Sequence, residues 1–185
     1  MNQVSIKMDT ICGQVRFGSG FFTRDVLEVA PEMPGKYLVV RGQDGRIKRH
    51  MITEVEAYRG TEDLACHASR GRTNRTDVMY RRGGHLYIYL IYGMYWMLNI
   101  VTGPEEEPQA ILLRGVEDYC GPGRLTRGIG IDHSWNGIDL ADSDLVWIEG
   151  PGRIVKVITS PRIGIDYSGE PWKSKPWRYF ISQTS

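Results

Sequence analysis

From Lys36 onward the apolar positions of the chain recur at every second residue rather than every third or fourth. Lys36 to Arg41 and Arg46 to Tyr58 carry β-branched and apolar residues on either side of a QDG turn at Gln43 to Gly45, which predicts a β-hairpin. Leu86 to Ile91 and Met94 to Val101 alternate in the same way and predict two strands meeting at Tyr92-Gly93, and Ala110 to Val116 predicts another. Ahead of them, Phe21 to Ala30 (FFTRDVLEVA) reads as a short helix with Thr23 as its N-cap, broken by Pro31 to Gly35 (PEMPG). The pattern therefore predicts a β-sheet at the centre. A GPGR tetrad occurs twice, at Gly121 to Arg124 and Gly150 to Arg153; the unequal segments after each argue for two similar turns rather than a solenoid repeat.

At 185 residues, 41% of them hydrophobic, the chain suits one soluble domain with a real core. The three cysteines, Cys12, Cys66 and Cys120, are widely spaced, which excludes a readable disulfide framework or zinc ribbon. Leu86 to Val101 is too short and too rich in tyrosine for a membrane span, and the first twenty residues lack a secretory signal. The chain reads as soluble and intracellular, compatible with a bacterial cytoplasm or a nucleus. A net charge of +1 does not announce a nucleic-acid partner, so that case rests on local clusters: Arg70, Arg72, Arg75, Arg81 and Arg82 around a single Asp77, and Arg41, Arg46, Lys48 and Arg49. Either cluster alone reads as a solvated surface.

Strand alternation sends Glu54, Glu56 and Tyr58 to one face of MITEVEAYRG. Arg114 lies among Ala110 to Leu113 and Val116, where an unpaired charge is expensive, so Glu56 or Glu54 on a neighbouring strand is its natural partner. A carboxylate held by arginine in a sheet is also suited to deprotonating water. Tyr87, Tyr89, Tyr92 and Tyr95 surround the Gly93 turn; their hydroxyls favour a wet groove over a dry core, and their flat faces can stack bases.

The stretches ITEVEAYRGTEDLACHASRGRT, HLYIYLIYGMYWMLNI and AILLRG, in that order, together resemble the methylpurine DNA glycosylases of the alkyladenine type. The resemblance runs from about Phe21 to Phe180 and includes the PRIGIDYSGEPWKSKPWRYF ending. It implies an α+β fold: a single domain over residues 21–185 with a curved, mostly antiparallel sheet, a protruding β-hairpin and a few surrounding helices, after a poorly matched arm over residues 1–20. It also implies a monofunctional DNA glycosylase, acting as a monomer on double-stranded DNA containing alkylated, 3-methyladenine-type purines, with deaminated or etheno purines as a wider substrate range, without cofactor, metal, membrane or lyase chemistry.

Carried over residue by residue, the resemblance makes Glu56 the general base and Arg114 its positioning partner. Tyr92 is the intercalating wedge, Tyr58 and Tyr89 sandwich the flipped base, His67 lies at the base edge, and Asn99 screens the guanine 2-amino position. Arg70, Arg72 and Arg75 are candidates for the DNA backbone. The chain departs from the family pattern where Gly115 to Cys120 replaces a longer connection, so that a peripheral helix is expected to be missing. Two rival readings use the same residues: a module that binds damaged DNA without cutting it, and a hydrolase of small nucleosides, against which the wedge at Tyr92 argues.

Overall fold

The computed structural model describes residues 15–182. The fold is α+β: a ten-stranded antiparallel sheet with few helices. The expected hairpin is present as β2 (Tyr37–Arg41) and β3 (Ile47–Arg59), the second as β4 (Leu86–Ile91) and β5 (Tyr95–Thr102), and the last predicted strand as β6 (Gln109–Val116). The hairpin tip at Tyr92-Gly93 has positive φ at both residues, 52° and 68°. Such a turn matches the twist of the strands it joins, and glycine takes that backbone without strain.

β3 organises the sheet. Its first half pairs with β2 and its second half with β10 (Arg178–Ile181), while β6 runs along the opposite edge, followed by β5 and β4. Period-two alternation then sorts the side chains. Leu86, Ile88, Leu98, Ile100, Ile111 and Leu113 join the main core, whereas Tyr87, Val101 and Ala110 form a second cluster with Cys66, Val78 and Met79. Two 3₁₀ turns, His67–Arg70 and Asp77–Tyr80, supply the cover of that second face.

The single helix expected over Phe21 to Ala30 is divided. α1 (Ser19–Phe22) ends at Thr23, which caps its C-terminus, and α2 (Val26–Val29) starts from Asp25, whose Oδ1 accepts from Leu27 N–H at 2.8 Å. Aspartate one residue before an apolar pair is the better N-cap, and Thr23 loses that role to it. Within residues 15–20, placed in the N-terminal arm by sequence, β1 (Val15–Arg16) joins the sheet beside β8 (Val146–Gly150), and Phe17 stacks on Phe21 at 4.1 Å. Cys12 lies outside the described residues; Cys66 and Cys120 are free thiols.

The two GPGR tetrads differ in structure. The first opens α3 (Pro122–Ile129), with Gly121 as N-cap; the second opens no helix. β7 (Tyr119–Cys120) turns straight back onto β6 through Val116 and Tyr119, which closes the shortened connection as a tight hairpin. Among the described residues, no helix is long and apolar enough to cross a membrane.

Candidate active site

The register of the sheet aligns the candidate residues. Glu56 lies opposite Leu112, Leu112 opposite Asn99, and Asn99 opposite Tyr87, one row across β3, β6, β5 and β4. Directly opposed residues share a face, so Glu56, Asn99 and Tyr87 project to the same side. Tyr58 and Tyr89 each follow two residues further along their own strands and keep that face.

A bulge lies just beside this row, between β3 and β6. Glu54 pairs with Gly115 and Val55 with Leu113, so Arg114 has no opposite residue and its side chain is re-aimed toward β3. There Nε donates to Glu54 Oε1 at 2.8 Å and lies 3.4 Å from Glu56 Oε1. Glu54 also accepts from Arg178 Nε at 2.6 Å, so the two arginines share it. Sequence left open whether Glu54 or Glu56 serves Arg114; Glu54 takes the short bond and Glu56 the longer contact.

Glu56 is fully buried. Its Oε1 accepts the Ile163 N–H and its Oε2 accepts the Tyr58 hydroxyl, both at 2.8 Å. Burial pushes its pKa above the ordinary carboxylate value, while Arg114, the Ile163 N–H and the Tyr58 hydroxyl oppose the rise. For Arg114, burial works to lower the pKa, but Glu56 and Glu54 prevail and raise it.

A slot of about 50 Å³ opens beside these groups, walled by Tyr58, Tyr87, Tyr89, His67, Asn99 and Tyr167. It adjoins a cleft of about 730 Å³ that shares Tyr58, His67, Tyr89 and Tyr167 and adds Tyr92, Arg114 and Arg124. An apolar cavity of about 150 Å³ holds a benzene ring. The slot alone is therefore smaller than one aromatic ring needs, and only together with the mouth between Tyr58 and Tyr89, which it shares with the cleft, is there room for a flat ligand. Glu56 lines neither space; it stands behind the Tyr58 hydroxyl and Arg114.

His67 Nδ1 is 2.9 Å from the Tyr87 hydroxyl, and its ring centroid is 4.6 Å from that of Tyr89. Burial, then the charges of Arg75 and Arg70, push its pKa down to about 4, so the imidazole is neutral at physiological pH. Asn99 donates through Nδ2 to the carbonyls of Tyr87 at 3.1 Å and Met97 at 3.4 Å. With its amide nitrogen so engaged, Oδ1 is the group left to meet a ligand edge.

The four tyrosines of the hairpin do not gather at its tip. Tyr92 is 82% exposed there, whereas Tyr87 is buried under the slot and Tyr95 packs against Gly123 of α3, where an added Cβ would meet its ring. The three backbone candidates also separate. Arg72 is bonded to Asp77 and Glu106, so its charge is already matched. Arg75 stands 5.1 Å from the Tyr89 ring centroid, and Arg70 borders a neighbouring pocket with Arg75. Sequence reasoning did not single out Tyr167 or the Ile163 N–H; both lie in the quoted RIGIDYSG stretch, but a peptide donor has no residue signature. Among the described residues, no group of three His, Cys, Asp or Glu is placed to hold a metal.

The site thus combines a buried carboxylate, a tyrosine-walled slot beside it and an exposed aromatic at one hairpin tip. Comparison with known proteins identifies the class. The family model of methylpurine-DNA glycosylase (MPG) matches residues 20–120 and 118–185, its two segments meeting where the connection is short. A relative from Methanocella arvoryzae is 38% identical over 180 residues, covering 86% of this chain and 89% of its own. Relatives from Anaeromyxobacter sp. and Legionella pneumophila are each 43% identical over 171 residues, covering 87% of this chain and 86% and 91% of their own. All three are provisionally named 3-methyladenine DNA glycosylases. The chain belongs to the methylpurine-DNA glycosylase family.

Proposed function

We propose that this protein is a base-excision repair glycosylase that flips 3-methyladenine-type purines out of double-stranded DNA and hydrolyses the N-glycosidic bond. One observation carries the reading: the buried Glu56 carboxylate, held by a peptide N–H and a tyrosine hydroxyl with a guanidinium 3.4 Å away, directly behind the wall of a tyrosine-lined slot. Family membership and the names of the relatives point to the same chemistry.

Reaching a glycosidic bond inside a duplex requires extrusion of the nucleotide, which costs a few kcal/mol and costs least at damaged pairs. Tyr92 fills the gap left in the stack. The extruded base enters from the cleft between Tyr58 and Tyr89, with His67 at its edge and Asn99 where guanine carries its 2-amino group. Among the described residues Glu56 Oε2 accepts only from Tyr58, and a carboxylate oxygen has a second lone pair for water. As that water attacks C1′, Glu56 takes its proton; the C1′–N bond breaks and its electron pair leaves with the base.

Oxocarbenium character on the sugar is stabilised by the same carboxylate, and Arg114 holds carboxylate and water in register. An alkylated purine is cationic before cleavage and departs neutral. Hypoxanthine and ethenoadenine need a proton from the site or solvent, so they are the slower substrates. A lyase step needs an amine nucleophile, and among the described residues no lysine borders slot or cleft.

Duplexes carrying 3-methyladenine, hypoxanthine or ethenoadenine test the proposal. Free base and abasic sites that break only in hot alkali are expected; no base release from any of the three overturns it. One observation favours a second reading, a non-catalytic damaged-DNA binding module: Glu56 borders neither cavity. Binding without base release selects that reading.

A further inference from the structure

Arg162 is a fully buried charge that takes no part in the reaction just described. It is paired through both terminal nitrogens with an equally buried Asp63, Nη2 lying 2.9 Å from Oδ1. A buried ion pair adds little net stability, because desolvation of both ions offsets their attraction. Among the described residues Arg162 Nε finds no acceptor, which adds to the cost. Stability therefore does not account for this pair; its contacts do.

Nη1 donates at 2.9 Å to the carbonyl of Ala57, the residue between Glu56 and Tyr58. Nη2 also reaches the Trp172 carbonyl at 3.4 Å. The guanidinium carbon lies 4.7 Å from the Tyr58 ring centroid and 5.1 Å from that of Trp177. The very next peptide, Ile163 N–H, is the donor to Glu56 Oε1. One planar, five-donor group thus ties the loop after β9 (Val157–Ser160) to β3 at Ala57 and Tyr58, the two residues that follow the proposed base.

We propose that Arg162, anchored by Asp63, is a positioning residue: it seats the Ile163 N–H on Glu56 and backs the Tyr58 ring, so the acid and the stacking wall are set by one buried fork. The inference rests on the reading of Glu56 as general base. Glu56 is faced by Glu54 and Tyr58 from its own strand, by Arg114 from β6, by Tyr89 from β4, and by Arg162 from the loop, with Arg178 of β10 acting through Glu54. Removing the Arg162 fork loosens the Ile163 donor to the carboxylate, which favours the protonated acid, and removing Asp63 with it leaves the local net charge unchanged.

The test is the pH dependence of single-turnover base release, with enzyme in excess, for wild type, Arg162→Lys, the charge-neutral pair Asp63→Asn/Arg162→Gln, and Glu56→Gln. A hydrogen bond to a charged group lost from Glu56 displaces the acid limb upward by about one pH unit. That shift is expected for the double variant and a smaller one for Arg162→Lys, and affinity for lesion DNA, which reads the Tyr58 wall, should weaken in the same order. Lysine keeps the charge beside Asp63 but cannot span Ala57 and Trp172 together, so it decides the matter should the double variant fail to fold. A wild-type acid limb in the folded variants, with only a lowered melting temperature, makes Arg162 merely structural and overturns the proposal. Full turnover by Glu56→Gln overturns the general-base reading instead, whatever the Arg162 variants do.

Discussion

The hydroxyl of Tyr58 donates to Glu56 Oε2 over 2.8 Å, so a wall of the slot and the buried acid are bonded to each other two residues apart on one strand. The bond stabilises the ionised carboxylate against a burial that disfavours it. Tyr58→Phe keeps the ring and removes the donor. Glu56 then ionises at higher pH, and because the base must be deprotonated, the acid limb of turnover moves up by about one unit. Rates well above that limb should stay within a few-fold of wild type. Base release measured from pH 5 to 9 checks this, and an unmoved limb would show that the hydroxyl does not govern the acid.

Glu56→Gln separates turnover from stability. Loss of the base should lower turnover by about 10²-fold or more while lesion binding persists. The sign for stability runs the other way. Burial raises the folded pKa of Glu56 above its unfolded value, so its favourable contribution is present below the unfolded pKa and lost as pH rises through the folded pKa. At pH 7.5 the wild-type fold holds a desolvated charge that glutamine lacks, and the variant should melt no lower than wild type. The difference should close toward pH 4, where the native acid is protonated. Calorimetry at both pH values decides it; a variant clearly less stable at pH 7.5 contradicts the burial argument.

These residues were unequally legible before the structure was known. Period-two alternation located β2 to β6 within a residue or two, and the apolar surroundings of Arg114 pointed to a carboxylate on the next strand. What alternation cannot carry is register. The row from Glu56 to Tyr87 depends on pairings across four strands, and the bulge that turns Arg114 toward β3 is marked only by Gly115 beside it, a residue that strands also carry without a bulge. The Asp63–Arg162 pair joins positions 99 apart, and the Ile163 donor is a backbone group, so neither leaves a local pattern. The break between α1 and α2 was missed for the opposite reason, since two good capping residues, Thr23 and Asp25, lay within one apolar stretch.

Tyr92 offers a test of the wedge with little risk to the fold. It is 82% exposed and holds φ at 52°, a conformation that alanine meets at similar strain. Tyr92→Ala should therefore change stability by no more than about 0.5 kcal/mol. Stacking on an aromatic contributes roughly 1–3 kcal/mol per base, or about 5- to 150-fold. Loss of that order is expected for a lesion in duplex DNA and not for the same lesion in a single strand, which has no gap to fill. Equal losses on both substrates would remove the wedge role.

His67 provides a readout of the slot that needs no substrate. Burial lowers its pKa first, and Arg75 and Arg70 lower it further, to about 4. Its contribution to stability is complete above the unfolded pKa of about 6.5 and is lost as pH falls through the folded value, so the fold weakens between those limits. Nitrogen-detected NMR of the imidazole should give a midpoint near 4. Arg75→Ala removes one of the opposing charges and should move that midpoint upward, while also freeing the Tyr89 ring of the guanidinium 5.1 Å away. A midpoint near 6.5 in the wild-type protein would mean that His67 is solvated and charged at mildly acid pH, and a neutral edge for the base could not be assigned to it.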